Sequence, residues 1–281
     1  MVARVPVVDG NLEEAPLAGL AVDERPVGVA DACRSVGLRG ILDVGRLGIG
    51  LWHVDLVKAA DGLLAMEQDA PRLSEDDCVR VQTMFGAEAS RSRIRRERLA
   101  TYVALRLVVE QAHAESDGAP ADLCRVPFVR TMEGRPSLPG FRGDFSLSHV
   151  AGHALIGVAQ EGSIGVDLER PRVLRMEARR RFLIEAAAAR MAPQFPLPAD
   201  GDARFIAAWV RVEAFAKARR ISLARLLTDI GALGGGGAMP PAERVVRRSD
   251  WPNANHETTV RDLALPDGLV AAVAYVEHPK H

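Results

Sequence analysis

Residues 163–172, SIGVDLERPR, place two acids, Asp167 and Glu169, inside an apolar run. The alternating pattern predicts a β-strand, in which residues two apart share a face, so the two carboxylates point the same way. Val166 and Leu168 occupy the other face and supply its burial. Two interpretations follow: either the strand has one face in solvent, as many antiparallel strands do, or the acids belong to a site for a divalent cation.

The composition is that of a globular protein, with 281 residues of which 48% are hydrophobic, enough for one large core or two smaller ones. The formal net charge is -1, so no overall field indicates binding to nucleic acid or to a membrane. Three widely spaced cysteines without paired motifs argue against a disulfide framework or a zinc site. We therefore expect a cytoplasmic protein.

The order of the predicted elements indicates an α+β fold. Residues 1–45 are rich in Gly, Pro and acids and have no clear period, so we expect a poorly ordered N-terminal extension. Alternation predicts a strand in GLWHVDL at 50–56, and Ser74 followed by three acids predicts the start of a helix. Periodicity also predicts helices at about 91–115, 175–191 and 202–219, and strands at 154–159, 163–169, 258–265 and 269–276.

The connection between two of these strands suggests how the halves are joined. Three residues, Gln160, Glu161 and Gly162, separate the strands at 154–159 and 163–169, which is typical of a hairpin. We interpret the whole order as two similar α/β halves. The N-terminal half spans 46–150, and the C-terminal half spans 151–281 and carries the acids.

A third acid lies in the helix predicted at 202–219. Glu213 and Lys217 are four residues apart and share one side of this helix with Trp209. On a solvated helix such a pair contributes only about 0.3 kcal/mol. The helix is apolar almost all round, however, so the pair is expected to lie inside the protein, where it needs a partner such as a metal or a phosphate.

Four short motifs follow one another along the chain: GRPSLP at 134–139, FSLSH at 145–149, IGVDLE at 164–169 and W-x-x-x-E-A-x-x-K at 209–217. In this order and at roughly this spacing, the sequence resembles the 4′-phosphopantetheinyl transferases of the surfactin-synthetase-activating type. The resemblance covers about residues 50–278. Each motif is weak by itself, and their order carries the resemblance.

The resemblance implies a reaction and a fold. The family transfers the phosphopantetheine arm of coenzyme A to a serine of an apo acyl or peptidyl carrier protein and releases 3′,5′-ADP. This step activates carriers of fatty acid, polyketide and nonribosomal peptide biosynthesis. The family requires Mg²⁺, and its fold is two similar α/β halves around a pseudo-twofold axis with the active site between them. We expect a monomer without a nucleic acid or membrane partner.

The resemblance also implies a metal site and a catalytic pair. By motif, Asp167 and Glu169 would be the strand ligands of Mg²⁺, and Glu213 would be the helix ligand. Glu213 would also be the base that deprotonates the carrier serine. Lys217 would act beside it by contacting the coenzyme A phosphates. These roles agree with a phosphoryl-type transfer, which needs positioning and charge neutralisation.

Four further residues are implied in binding coenzyme A. His149, with Ser148 beside it, matches the position that binds the 3′-phosphate. Arg135, in GRP, matches a basic residue near the adenine end of coenzyme A. Arg96 matches a basic residue early in the long helix that also reaches the 3′-phosphate.

The sequence departs from the family pattern beside Glu213. The family usually has a lysine at the position of Val212, and Arg211 is turned about 100° round the helix from it, so it cannot simply substitute. One alternative is therefore a catalytically degenerate homologue that binds coenzyme A or a carrier protein without chemistry. Another is an unrelated magnesium-dependent phosphotransferase.

Overall fold

The computed structural model describes residues 40–44, 48–82, 88–117, 123–130, 135–199, 201–233 and 258–277. Within these ranges the protein is a mixed α+β fold with six α-helices and antiparallel sheets, which confirms the predicted class. The extension predicted at 1–45 lies outside the described residues, apart from a strand at 40–44. No helix in these ranges is both long and apolar enough to cross a membrane.

Nine strands and six helices are described. The strands are β1 (Gly40–Val44), β2 (Ile49–Asp55), β3 (Val129–Arg130), β4 (Pro136–Ser137), β5 (Asp144–Val150), β6 (His153–Ala159), β7 (Ser163–Glu169), β8 (Thr258–Ala264) and β9 (Val270–Val276). The helices are α1 (Leu56–Asp69), α2 (Glu75–Gln82), α3 (Glu88–Asp117), α4 (Ala178–Met191), α5 (Gly201–Ala218) and α6 (Leu223–Asp229). The long helices and the last strands lie close to their predicted positions.

Side-chain caps explain where two helices begin. The Ser74 hydroxyl accepts a hydrogen bond from the Asp77 N–H at 3.1 Å and donates to the Asp77 carboxylate at 2.7 Å, so the predicted start of α2 is confirmed. At the end of β2, Asp55 accepts from the N–H groups of Val57 and Lys58 and starts α1. Both caps satisfy N–H groups that the helix itself leaves without partners.

The strands form three antiparallel sheets. One has the order β1-β2-β6-β5, one has the order β7-β9-β8, and β3 and β4 form a short ribbon. The predicted hairpin between β6 and β7 is wrong, because β6 pairs with β2 and β5 whereas β7 pairs with β9. The chain changes sheet at residues 160–162, where Gly162 has φ +77° and a Cβ would lie 2.3 Å from the Val276 carbonyl oxygen.

Three clusters of buried apolar side chains hold these elements together in four layers. The layers are helices, the four-stranded sheet, the three-stranded sheet and helices again. Trp52 and Ile156 face α1 and α3 on one side of the four-stranded sheet. Leu51 and Leu155 point to the other side, against the sheet of β7, β8 and β9. The far face of that second sheet packs on α4, α5 and α6. Since β7 packs on β6 face to face, a short connection joins them without a hairpin.

Candidate active site

The candidate site lies where β7 contacts helix α5. Gly165 lets the helix come close, because a Cβ there would lie 2.0 Å from the Ala214 carbonyl oxygen and 2.5 Å from the Ala218 nitrogen. On the opposite face of β7, Val166 and Leu168 are buried between the two sheets. Both faces of β7 are thus covered, so the interpretation of a strand with one face in solvent is wrong.

Asp167 is the central carboxylate of the site and is 3% exposed. Its Oδ1 accepts hydrogen bonds from Lys217 Nζ at 2.7 Å and from the Ser148 hydroxyl at 2.9 Å. Lys217 Nζ also donates to the Val166 carbonyl oxygen at 2.9 Å. The other oxygen of Asp167, Oδ2, is buried and has no hydrogen-bond donor. A buried carboxylate oxygen without a donor favours the approach of a cation.

Glu213 lies one helical turn before Lys217 and faces the same acid. Its Oε2 is 3.9 Å from Lys217 Nζ. The pKa of Glu213 is raised to about 7, chiefly by burial and then by the negative charge of Asp167. A hydrogen bond to Asp167 and the charge of Glu169 act in the same direction, and the Lys217 charge opposes them. Near neutral pH this carboxyl group therefore exchanges readily between its protonated and ionised forms, as a general base or acid requires.

Glu169, the second strand acid, is held differently. Arg172 donates to both of its carboxylate oxygens, at 2.5 and 3.2 Å. Its side chain is 16% exposed and its partner is 50% exposed, so the pair lies at the rim of the site. The positive charge of Arg172 therefore competes with a metal ion for Glu169.

The fit of these acids to Mg²⁺ can be judged from their donors. Within the described parts of the chain, no three His, Cys, Asp or Glu side chains come together as a ligand set. Magnesium commonly uses one or two protein carboxylates, however, and takes its other oxygens from water and substrate phosphates. Asp167 and Glu213 fit that pattern, since both are oxygen donors at the same pocket and Asp167 Oδ2 has no donor. Two carboxylates fit here better than the expected three.

Two neighbouring pockets open beside these residues, and His149, Glu213 and Lys217 line both. The first has a volume of about 400 Å³ and the second about 790 Å³. The first pocket is basic, with Arg98, Arg130 and Arg135 in its wall. The second pocket contains the acids and the rim arginines, namely Asp167, Glu169, Arg170 and Arg172. A phosphate-rich ligand would find cations in one pocket and metal ligands in the other.

His149 lines both pockets. Its side chain reaches solvent, but the surrounding protein atoms remove enough water to lower its pKa. The positive charges of Arg98 and Lys217 lower the pKa further, while Glu97 opposes them. At neutral pH the imidazole is therefore expected to be neutral, with one N–H available to donate.

Two of the residues implied in coenzyme A binding have other partners in the structure. The Ser148 hydroxyl contacts β7, where it accepts from the Leu168 N–H and donates to Asp167. Arg135 lines the first pocket but donates to the carbonyl oxygens of Lys217, Phe145 and Ile164. Arg135 thus fastens α5 and β7 to β5.

The arginine-rich helix α3 presents a residue that the sequence motifs did not indicate. Arg96 forms an ion pair with Asp61 on α1 and lines neither of the two pockets. Arg98 lines the first pocket together with Thr101 and Tyr102. The spacing of three and four residues puts this group on one face of a helix, so periodicity could have selected Arg98.

Val212 occupies a core position. Its side chain is 0% exposed and belongs to the cluster between the second sheet and its helices. A lysine at this place would bury its ammonium among apolar side chains at a large cost in free energy. The departure from the family pattern is therefore consistent with the packing of this helix.

Comparison of the sequence with models of known protein families finds no matching family, and comparison with curated proteins finds no match. The chemistry of the site thus depends on its own residues. A buried carboxylate, a second carboxyl group with a pKa of about 7 and a lysine lie beside a pocket lined by arginines. This arrangement can hold a divalent cation and bind phosphate groups at adjacent places.

Proposed function

We propose that this protein transfers 4′-phosphopantetheine from coenzyme A to a serine of an apo acyl or peptidyl carrier protein, with Mg²⁺, and releases 3′,5′-ADP. One observation carries the proposal: three motifs distant in sequence meet at one carboxylate. Ser148 of FSLSH and Lys217 of the α5 motif both donate to Asp167 of IGVDLE. The family fold, with two similar halves around a pseudo-twofold axis, is part of the proposal.

The two pockets suit the charges of coenzyme A. That molecule carries a pyrophosphate in its middle and a separate 3′-phosphate, so it needs positive charge at two places. Arg98, Arg130 and His149 line the basic pocket, where the 3′-phosphate would bind. Asp167 and Glu213 would hold Mg²⁺ beside the pyrophosphate, and Mg²⁺ when bound would neutralise its developing charge.

Glu213 and Lys217 are the residues that would act on the reacting groups. Glu213 would accept the proton of the carrier serine while the serine oxygen bonds to the pantetheine-side phosphorus. The bond from that phosphorus to 3′,5′-ADP then breaks. Lys217 would stabilise negative charge on the phosphate oxygens.

A binding module that lacks transfer activity is the second candidate. Two observations favour it: Val212 replaces the family lysine and is buried, and Arg172 holds both oxygens of Glu169. Such a module would bind coenzyme A tightly in the same pockets. It would leave the carrier serine unmodified.

Mass spectrometry on a panel of apo carrier proteins tests the proposal. We expect a carrier to gain the mass of phosphopantetheine when the protein, Mg²⁺ and coenzyme A are present, and we expect EDTA to abolish the gain. Tight binding of coenzyme A by calorimetry with no gain on acyl or peptidyl carriers would select the binding module. Detection of 3′,5′-ADP as the product excludes an unrelated phosphotransferase.

A further inference from the structure

On the edge of β7 that faces away from β9, the backbone N–H groups are hydrogen-bonded to side chains. The N–H groups of Ile164, Val166 and Leu168 do not point towards β9 but donate to side-chain oxygens of β5. Their acceptors are Asp144 at 2.8 Å, Ser146 at 3.1 Å and Ser148 at 3.2 Å, in that order. We call these three acceptors the oxygen row. Every second residue of β5 thus replaces the backbone partner that an edge strand lacks.

Ser148 differs from Ser146 by one further bond. Ser146 accepts from a β7 N–H, whereas Ser148 accepts from the Leu168 N–H and also donates its proton to Asp167 Oδ1 at 2.9 Å. A hydroxyl has one proton to donate, so that of Ser148 is committed to Asp167. Together with Lys217, it supplies two donors to the same oxygen of that carboxylate.

The consequence is a fixed orientation of the Asp167 carboxylate. Because Oδ1 has two donors and Oδ2 has none, the carboxylate presents one oxygen to an added cation. The side chain is 3% exposed, so water cannot easily replace a lost donor. Hydrogen bonds of this kind around a metal ligand commonly change metal affinity by about 10- to 100-fold.

We propose that Ser148 is a positioning residue that acts on the metal site through Asp167 and does not itself bind coenzyme A. This inference rests on the proposed function for the identity of the cation, and it revises the role that the family resemblance implies for Ser148. The two roles predict different results. A positioning residue controls metal affinity, whereas a coenzyme A contact controls the KM for coenzyme A.

Binding of Mn²⁺ to the full chain, followed by electron paramagnetic resonance without coenzyme A, tests the inference. Mn²⁺ takes the same oxygen ligands as Mg²⁺. We expect Ser148→Ala to raise the Mn²⁺ dissociation constant by about 10-fold or more and Ser148→Thr, which keeps the hydroxyl, to restore it. Ser146→Ala is the matched control, since it removes the neighbouring acceptor in the row without touching Asp167. It should lose similar thermal stability and keep the wild-type dissociation constant.

Three results would overturn the positioning role: no Mn²⁺ binding by the wild-type chain, an unchanged dissociation constant in Ser148→Ala, or an equal increase in Ser146→Ala. The outcome of the carrier assay is independent of the outcome of the Mn²⁺ experiment. If Mn²⁺ affinity depends on Ser148 but no carrier is modified, the proposed function fails and the positioning role stands. If carriers are modified and Ser148→Ala raises only the KM for coenzyme A, the function stands and the positioning role is overturned.

Discussion

Two aspartates in the second sheet occupy the same row and are used differently. Asp167 on β7 and Asp262 on β8 both lie opposite Ala272 of the central strand, so they flank it at one level. Each receives a cation from helix α5. Lys217 donates to one oxygen of Asp167 at 2.7 Å, whereas Arg211 contacts both oxygens of Asp262, at 2.7 and 2.5 Å.

The two ion pairs differ in how many oxygens of the aspartate they use. We call Arg211–Asp262 the closed pair and Lys217–Asp167 the open pair. In the closed pair the Arg211 side chain is 0% exposed and donates to both carboxylate oxygens of Asp262. In the open pair Asp167 keeps Oδ2 without a donor, and its lysine lines two pockets. The two aspartates thus share their position in the sheet and their charge, and they differ in whether one carboxylate oxygen lacks a donor.

The largest expected effect is at the open pair. Asp167→Asn keeps the size of the side chain but removes the charge that holds a cation. Under the proposed function we expect carrier modification to fall by about 10³-fold or more, because a bound metal contributes several kcal/mol to the stabilisation of charge. The rate of mass gain at saturating coenzyme A measures it. Activity close to that of the wild type would remove Asp167 from the metal site.

At the closed pair, the expected effect is on stability. Asp262→Ala leaves the buried Arg211 guanidinium without its counter-ion. Since Asp262 is 39% exposed and water can partly replace it, we expect the free energy of unfolding to fall by about 2 kcal/mol, less than for a fully buried pair. Urea denaturation measures the loss, and carrier modification by the folded protein should not change.

The double variant Arg211→Met with Asp262→Leu checks the reason for that loss. Removing both charges should recover most of the stability, because the cost of the single change comes from the unpaired guanidinium. A double variant as unstable as Asp262→Ala would contradict this account. A fall in activity in either variant would show that the closed pair also serves the site.

Arg98 and Arg96 allow a smaller, direct comparison on helix α3. Arg98→Gln should raise the KM for coenzyme A by about tenfold with little change in kcat, since one charged contact with a phosphate is lost. Arg96→Gln is the matched control, because Arg96 pairs with Asp61 outside both pockets. Steady-state kinetics measure both. A larger effect of Arg96→Gln would restore the role that the family resemblance implies for it.

The smallest effect concerns two histidines that contact each other in the four-stranded sheet. His53 and His153 are buried, and their ring nitrogens Nε2 and Nδ1 are 3.2 Å apart. Burial lowers the pKa of both below the ordinary value of 6.5, with His153 adding to the effect on His53 and Arg170 to that on His153. Asp55 and Asp267 oppose these shifts, and Lys58 adds to them.

The sign of the pH dependence follows from proton binding. Below pH 6.5 the unfolded chain binds protons at these histidines before the folded chain does, so stability falls as the pH decreases through 6.5 towards the folded pKa values. Denaturation midpoints between pH 5 and 8 measure this slope. The slope should be shallower in His53→Gln with His153→Gln, and an unchanged slope would assign it to other groups.

The sequence predicts elements here better than it predicts contacts. Periodicity and caps located β2, α2, α5 and the last strands, because each of these signals lies within one element. The change of sheet after β6 was missed, because three connecting residues suit a hairpin and a face-to-face crossing equally well. For the site, the pattern selected Asp167 and Glu213, and the structure brings these two residues to the same pocket. The partner of Ser148 and the pairing of Glu169 with Arg172 depend on how elements pack, which no local pattern encodes.

The oxygen row on β5 also affects how copies of this protein behave towards one another. An exposed edge strand offers its free N–H and C=O groups as a template for a strand of another molecule, which leads to aggregation. On β7 the N–H groups of Ile164, Val166 and Leu168 are already occupied by side chains of the same molecule. Arg135 and Lys217 likewise occupy the carbonyl oxygens of Ile164 and Val166. The side chains around the candidate active site therefore also keep the β7 edge of this sheet from pairing with a strand of a neighbouring copy.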